Sequence, residues 1–424
     1  MNAAEAIEYV HTCHWQASVP GLDRIRTLLA ALGNPQQGQK FVHVAGTDGK
    51  GSTCAMLSSI LCAAGYRVGL NTSPYLEVFN ERIRLNGQNI PDADLASLFT
   101  EILPLADAMA DRPNEFELIT AAALLYFRRQ NCDISVLEVG MGGEKDASNV
   151  IDVPEAAVIT AMGWDHVKEL GPTMADIASA KAGIIKPGGA VVSYGGVPEA
   201  DAVIRRTCAE KRASLTEVDF FRLHLSSVAP DGCRFNFFPW ENLFLPLGGA
   251  YQPKNAATAL TAVEVLRAKG WRISDDAVRT GLAEARWPGR FELLHRRPDF
   301  LLDGAHNPHG MAAAVESIRV CYPGRKLVFL VGAMADKDVS HMMTLLSPLA
   351  QSFFTVRPDN PRAMSAEALR DLLAPAGIPV TACEKVDSAV HAAVSAAGKD
   401  GVVCALGSLY LSAAVRRAVA ALPD

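Results

Sequence analysis

The sequence predicts an α/β protein of two domains. The first is a P-loop-type domain with a mainly parallel sheet and a small antiparallel excursion, and the second is a Rossmann-like α/β domain. Three observations carry this. Strand-like apolar runs alternate with helix-like runs over most of the 424 residues, the pattern of a parallel sheet covered by helices. A glycine-rich turn joins an early strand to a helix. A Trp-Pro-Gly break at residues 287–289 is followed by a fresh alternation.

KFVHVAG, residues 40–46, reads as a buried strand. Residues 52–65 read as a helix ending at Gly65, a residue type suited to the left-handed position after a helix. Residues 66–73 form a second strand, 116–131 a long helix, and 134–140 and 155–162 two further core strands. Between about 214 and 247, short β-prone runs and a Pro-Asp-Gly turn read as the antiparallel excursion. Helices follow at 253–269 and 274–284. ARWPGRFELL, residues 285–294, is the boundary, which gives domains 1–288 and 289–424. In the second domain FLLDGAH, KLVFLVGAM, SFFTVRP, PVTACE and GVVCALGS are strand-like and separated by helical stretches.

The chain is 49% hydrophobic and 20% charged, ordinary for a globular protein. A net charge of −6 and the lack of a long Lys/Arg run argue against nucleic acid as a partner. An anionic substrate must then be held by local devices. Nine scattered cysteines without a CxxC pair fit a reducing compartment. The stretch MNAAEAIEYVHTCHW has no secretory pattern, and no apolar run is long enough to span a membrane. The expectation is a cytoplasmic protein acting on small molecules.

The turn AGTDGKGST suggests what those molecules are. A turn between a buried strand and a helix aims backbone N–H groups at one point, where the helix dipole adds positive charge. Gly46, Gly49 and Gly51 allow close approach of a bulky anion, with Thr47 and Asp48 between them. Lys50 can reach outer phosphates, and Ser52 can offer its hydroxyl to Mg²⁺. The reading is a nucleotide-phosphate loop, hence an ATPase-type N-terminal domain. The competing reading is a tight turn with a solvent lysine. Glu138 sits inside an apolar strand that runs into a glycine turn, where a carboxylate is costly unless it is paired or on a metal. Beside a phosphate loop, Mg²⁺ is favoured over an edge glutamate facing solvent.

The spelling GTDGKGS resembles the phosphate loop of the folylpolyglutamate synthase and dihydrofolate synthase family, within the Mur ligase superfamily. Asp48 stands where that family has asparagine. Further blocks follow in the family's order: NTSPYLEVFNERI, FELIT, LEVGMGGEKDASN, DHVKELG, KAGI, RWPGRFELL and DGAHNP. The glycine-turn block departs at Glu144 and Lys145, where arginine and an apolar residue are usual. The resemblance implies Mg²⁺ ligands at Ser73, Glu138 and His166, although a hard cation prefers oxygen to the His166 nitrogen. It implies a pterin site at Phe116, Glu117, Asp146 and Ala147. It makes Lys181 a lysine carbamylated by CO₂, which requires a neutral amine and therefore a depressed pKa. Asn255, Arg290 and Asp303 would contact ATP, and His306 would face the catalytic cleft.

The implied activity is ATP-dependent ligation of L-glutamate to a folate through an acyl phosphate. Lys50, Lys181 and His306 would be the catalytic residues, and dihydropteroate a second acid substrate. Residues 1–288 would bind ATP and folate, and residues 289–424 glutamate. The family resemblance implies a monomer. The alternatives are another Mur-type amide ligase with a different acid substrate, and a P-loop NTPase that ligates nothing.

Overall fold

A computed structural model describes residues 1–13 and 21–423. His14 and Trp15, the last residues of the N-terminal stretch read for a secretory signal, lie outside them. The chain divides into two compact units: residues 1–221 with 255–285, and residues 222–254 with 286–424.

The first unit is built on an eight-stranded sheet. Its strands are β1 (Phe41–Ala45), β2 (Val68–Asn71), β3 (Ile83–Leu85), β4 (Gln88–Asn89), β5 (Ile134–Glu138), β6 (Ala156–Ile159), β7 (Ala190–Ser193) and β8 (Ser214–Glu217). Their order is β4-β3-β2-β5-β1-β6-β7-β8. From β2 to β8 the pairing is parallel, while β3 and β4 form an antiparallel edge. Strands β1, β5 and β6 are buried at every residue. That is why they read as continuous apolar runs and not as alternating ones.

The helix Lys50–Ala63 starts from Gly49 in the left-handed conformation and stops before Gly65, also left-handed. The helix Asp275–Glu284 crosses it so closely that a Cβ at Gly281 would lie 2.3 Å from Ile60 Cα. Helix Glu115–Arg129 begins with a reciprocal cap between Asn114 and Glu117. One buried cluster gathers Ile25, Phe99, Leu118 and Phe127, and another gathers Ile159, Met162, Ile177 and Ile204.

The second unit begins with a three-stranded meander, β9 (Leu223–Ala229), β10 (Gly232–Phe237) and β11 (Trp240–Leu245). Phe235, Phe237 and Trp240 are its buried anchors. A six-stranded sheet follows, with strands β12 (Glu292–His295), β13 (Asp299–Leu302), β14 (Leu327–Val331), β15 (Ala350–Thr355), β16 (Val380–Ala382) and β17 (Val402–Leu406). Its order is β12-β13-β17-β14-β15-β16, parallel except for β12. The chain leaves β13 through helix Pro308–Cys321 and returns at β14, with β17 between them. Crevices for ligands form at the C-terminal ends of strands where the order reverses in this way.

One expectation is corrected. Residues 214–217 are not part of the antiparallel excursion: Ser214–Glu217 is the parallel edge strand β8, paired with β7. The meander, counted with residues 1–288 in the sequence reading, groups with the second unit. Strands β3, β4, β7 and β12 were not anticipated as strands. All nine cysteines are free thiols. No helix among the described residues is long and apolar enough to cross a membrane.

Candidate active site

In the first unit the chemically distinctive side chains collect at the C-terminal ends of β1, β2, β5 and β6. The loop after β1 is held from behind. The N–H groups of Thr47 and Asp48 both donate to Ala161 O, at 2.9 and 3.2 Å. Thr47 Oγ1 lies 3.0 Å from Gly163 O and accepts from Gly163 N at 3.1 Å. These amides are therefore committed to the segment after β6, which leaves the leading N–H groups of helix Lys50–Ala63 as the loop's candidate donors to an anion. A helix leaves those groups without intrahelical acceptors. Ser52 is buried in that first turn.

Two glycines make the loop possible. Gly46 has φ 146°, and a Cβ there would meet Thr160 Oγ1 at 1.9 Å. Gly49 has φ 82°, and its Cβ would meet Asn255 Oδ1 at 2.4 Å. Asn255, buried, thus stands directly against the loop. Lys50 folds back over the loop and donates to Gly46 O at 3.2 Å and Thr47 O at 3.0 Å. A phosphate-like anion in the loop would be a stronger partner for this ammonium than two carbonyls.

Lys181 donates to the same carbonyl, with Nζ 2.7 Å from Gly46 O. It is 4% exposed. Burial, reinforced by the positive charge of Lys50, lowers its pKa to about 7, against opposing pulls from Asp165, Asp48 and Asp146. A large share of the amine is thus neutral and nucleophilic at neutral pH.

Glu138 closes β5, 4% exposed, and accepts a hydrogen bond from Ser73 N at 3.1 Å. The structure therefore brings Ser73 and Glu138 together. Their oxygens suit a hard divalent cation, and Mg²⁺ keeps several waters and phosphate oxygens, so it needs few protein ligands. His166 sits differently. It is left-handed at φ 50°, and its ring nitrogens face Asp165 at 3.8 Å and Glu169 at 3.9 Å. Among the described residues, no group of three or more His, Cys, Asp and Glu side chains is arranged to hold a metal. The residues present fit Mg²⁺ through oxygen donors, with His166 the poorest match.

The glycine turn after β5 packs under Phe116, whose ring would lie 2.7 Å from a Cβ on Gly140. Phe116 and the turn are thus adjacent, as expected. The two acids expected beside them are turned inward. Glu117 caps its helix by accepting from Asn114 N at 2.8 Å and pairs with buried Arg24 at 3.0 Å. Asp146 accepts from Gly140 N and Met141 N, both at 3.0 Å, and from Ser148 N at 3.0 Å. Both carboxylates shape the loops around the site. Ala147 is buried next to them, while Glu144 and Lys145, where the sequence departs from the family, are exposed.

In the second unit, Asp303 follows β13 and is 3% exposed. Its Oδ2 accepts from Tyr251 Oη at 2.7 Å and Phe291 N at 2.9 Å, and its Oδ1 from Ala305 N at 2.7 Å. Burial raises its pKa, against these donors and the charge of Arg290. A Cβ at Gly304 would lie 2.7 Å from an Arg290 guanidinium nitrogen, so Arg290 lies over the DGAHNP turn. His306 Nδ1 is 2.7 Å from Gly304 O. Asn307 caps helix Pro308–Cys321.

The sequence reading missed Thr160, the Ala161 carbonyl and Tyr251. The first two follow a plain apolar strand and carry no local signal. Tyr251, in YQPKN, stands four residues before Asn255 and carries no signal of its own.

Comparison with known proteins adds to this geometry. Residues 44–263 match the Mur ligase middle domain, and residues 289–409 match the glutamate ligase domain of Mur ligases. The dihydrofolate synthase/folylpolyglutamate synthase of Bacillus subtilis is 37% identical over 94% of both chains. The folylpolyglutamate synthase of Mycobacterium tuberculosis complexed with ADP has a similar structure, with TM-score 0.90, 30% identity, and coverage of 100% of this chain and 99% of that one. Escherichia coli FolC in complex with DHPP and ADP gives TM-score 0.88 at 32% identity, covering 99% of this chain and 98% of that one. With two family domains in order and relatives matched along nearly the whole length, this chain belongs to the folylpolyglutamate synthase/dihydrofolate synthase family of Mur ligases.

Proposed function

We propose that this chain is an ATP-dependent ligase that adds L-glutamate to folates, extending the γ-carboxylate of tetrahydrofolate, and that it also joins glutamate to dihydropteroate. The observation that carries the reading is the near full-length match to enzymes named for these two activities. The ADP of the two structural relatives supports ATP as the phosphoryl donor. The second activity is favoured because the Bacillus subtilis relative bears both names.

The chemistry runs in two steps. The folate carboxylate attacks the γ-phosphorus of ATP, the bond to the β-phosphate oxygen breaks, and an acyl phosphate and ADP form. The glutamate amine then attacks the acyl carbon, loses a proton, and phosphate leaves. Charge neutralisation and alignment dominate such phosphoryl transfer. Lys50, freed from the two carbonyls it now touches, would cover the outer phosphates above the amides of the first helical turn. Asn255 and Asp303 would hold the nucleoside, and Arg290 a phosphate. His306 would orient the attacking amine or the acyl group. Ser73 and Glu138, with Ser52 and His166, would hold Mg²⁺, which supplies charge neutralisation on the phosphates when bound.

The pterin would meet Phe116 and the glycine turn, with Glu117, Asp146 and Ala147 shaping that surface. Lys181 would react as a neutral amine with CO₂, forming an N–C bond and releasing a proton. The buried, depressed amine supports this reading. Residues 1–288 would serve ATP and folate and residues 289–424 glutamate, in a cytoplasmic monomer.

The test is ADP release with Mg-ATP and glutamate, comparing tetrahydrofolate, dihydropteroate and no pterin. Turnover with both acids is expected. Turnover with tetrahydrofolate alone would remove the second activity. ATP hydrolysis that ignores glutamate would overturn the ligase reading.

A further inference from the structure

His43 is an imidazole in the middle of the apolar strand β1, with no exposed surface. Burying a polar ring is costly unless it is hydrogen-bonded. Its Nε2 lies 2.8 Å from Ser148 Oγ, and its Nδ1 is buried without a hydrogen-bond partner. Ser148 Oγ in turn donates to Asp146 Oδ1. The hydroxyl proton is thus used, so Ser148 accepts from the ring. That fixes the Nε2–H tautomer of a neutral imidazole, consistent with burial and the charge of Lys186 lowering the ring pKa to about 3.

The chain of bonds ends at the glycine turn. Asp146 Oδ1 receives the Ser148 hydroxyl and amide, and Oδ2 receives the amides of Gly140 and Met141. Burial, the larger effect, raises the Asp146 pKa, while these groups, all donors, pull it back down. Because peptides are planar and trans, anchoring those two amides turns the carbonyls of Val139 and Gly140 the opposite way. The same turn is tied to the helix carrying Lys181. A Cβ at Gly143 would lie 2.9 Å from Lys181 O, and Glu144 N donates to Ala180 O at 2.8 Å. Phe116 covers Gly140.

We propose that His43 and Ser148 are positioning residues for the acid substrate: acting through Asp146, they fix the orientation of the 139–141 backbone that meets its heterocycle. The assignment of a pterin-bearing acid rests on the function proposed above, whereas the positioning itself concerns the backbone alone.

Two measurements test it. In steady-state kinetics, Ser148→Ala should raise KM for the folate about tenfold, as loss of a charge-assisted hydrogen bond does, and leave KM for ATP within about twofold. Ser148→Thr, which keeps the hydroxyl, should stay close to wild type. His43→Phe should shift the same constant in the same direction, less strongly, and serves if Ser148→Ala does not fold. An equal rise in both KM values, or Thr performing as poorly as Ala, would overturn the proposal.

Hydrogen exchange without substrate separates the two readings. The Gly140 and Met141 amides should exchange faster in Ser148→Ala and His43→Phe, and not in Ser148→Thr. If they do so in a chain that turns over no folate, the positioning holds and the folate assignment falls. Unchanged exchange in both variants overturns the positioning.

Discussion

Replacing Gly46 by alanine should damage stability and ATP use together. Two costs can be read from its surroundings. The backbone at φ 146° is one that side chains rarely adopt, a strain of about 1–3 kcal/mol. The new methyl would also sit 1.9 Å from Thr160 Oγ1 and 3.0 Å from Thr160 N. That nitrogen is bonded to Ala45 O at 2.8 Å, so it cannot retreat without opening the sheet. Overpacking of this kind costs about 1–3 kcal/mol. The total is about 2–6 kcal/mol against a typical net stability of about 5–15 kcal/mol. Function should suffer because the displaced carbonyl accepts from both Lys50 and Lys181. Urea unfolding should show a lower midpoint, and initial rates at varied ATP should fall at least about tenfold. In a Thr160→Ala background the hydroxyl clash is gone and the backbone strain remains, so Gly46→Ala should cost less there. If Gly46→Ala unfolds within about 0.5 kcal/mol of wild type and keeps its ATP dependence, the close approach of Gly46 to Thr160 has no bearing on loop geometry.

Three other outcomes are expected. Lys181 has a folded pKa of about 7, below the ordinary lysine value of 10.5, so the unfolded chain binds more protons between those values and stability should rise with pH across that window. Lys181→Met should abolish that slope in CO₂-free buffer, gain most over wild type near the lower end of the window, and lose activity, as followed by denaturation at several pH values and by ADP release. Asp48→Asn should keep activity or lower the apparent KM for ATP, because it removes an acid beside the phosphate loop; a large loss in the same assay would assign the carboxylate a specific task. Asn307→Ala should cost about 1 kcal/mol in urea unfolding, because its side chain caps helix Pro308–Cys321 by accepting from Gly310 N at 2.7 Å.

Much of the fold was legible because each part of it is signalled locally. The apolar runs at 40–46, 134–140 and 155–162 became β1, β5 and β6. Gly65 ended the helix that was expected to stop there. All five strand-like runs of the second domain are strands of one sheet. Ser214–Glu217 was misassigned because its partner β7 is reached only by a parallel pairing across an intervening helix, and a short β-prone run looks the same in either arrangement. The meander's grouping with the second unit is likewise a matter of which core receives it, not of its own pattern.

For the site, the sequence by itself determined which residue types stand in which motifs: Lys50 in its glycines, Glu138 inside an apolar strand, Asp303 before Gly-Ala-His-Asn. Those depend on composition and spacing along the chain. Tertiary structure alone decided what each side chain touches. It set Lys181 on the Gly46 carbonyl, turned Glu117 and Asp146 inward, placed Tyr251 on Asp303, and ran a hydrogen-bonded path from His43 to the glycine turn. The reason is physical. A buried polar group takes whichever partner the packing of distant strands and helices brings within about 3 Å, and no local pattern specifies that neighbour.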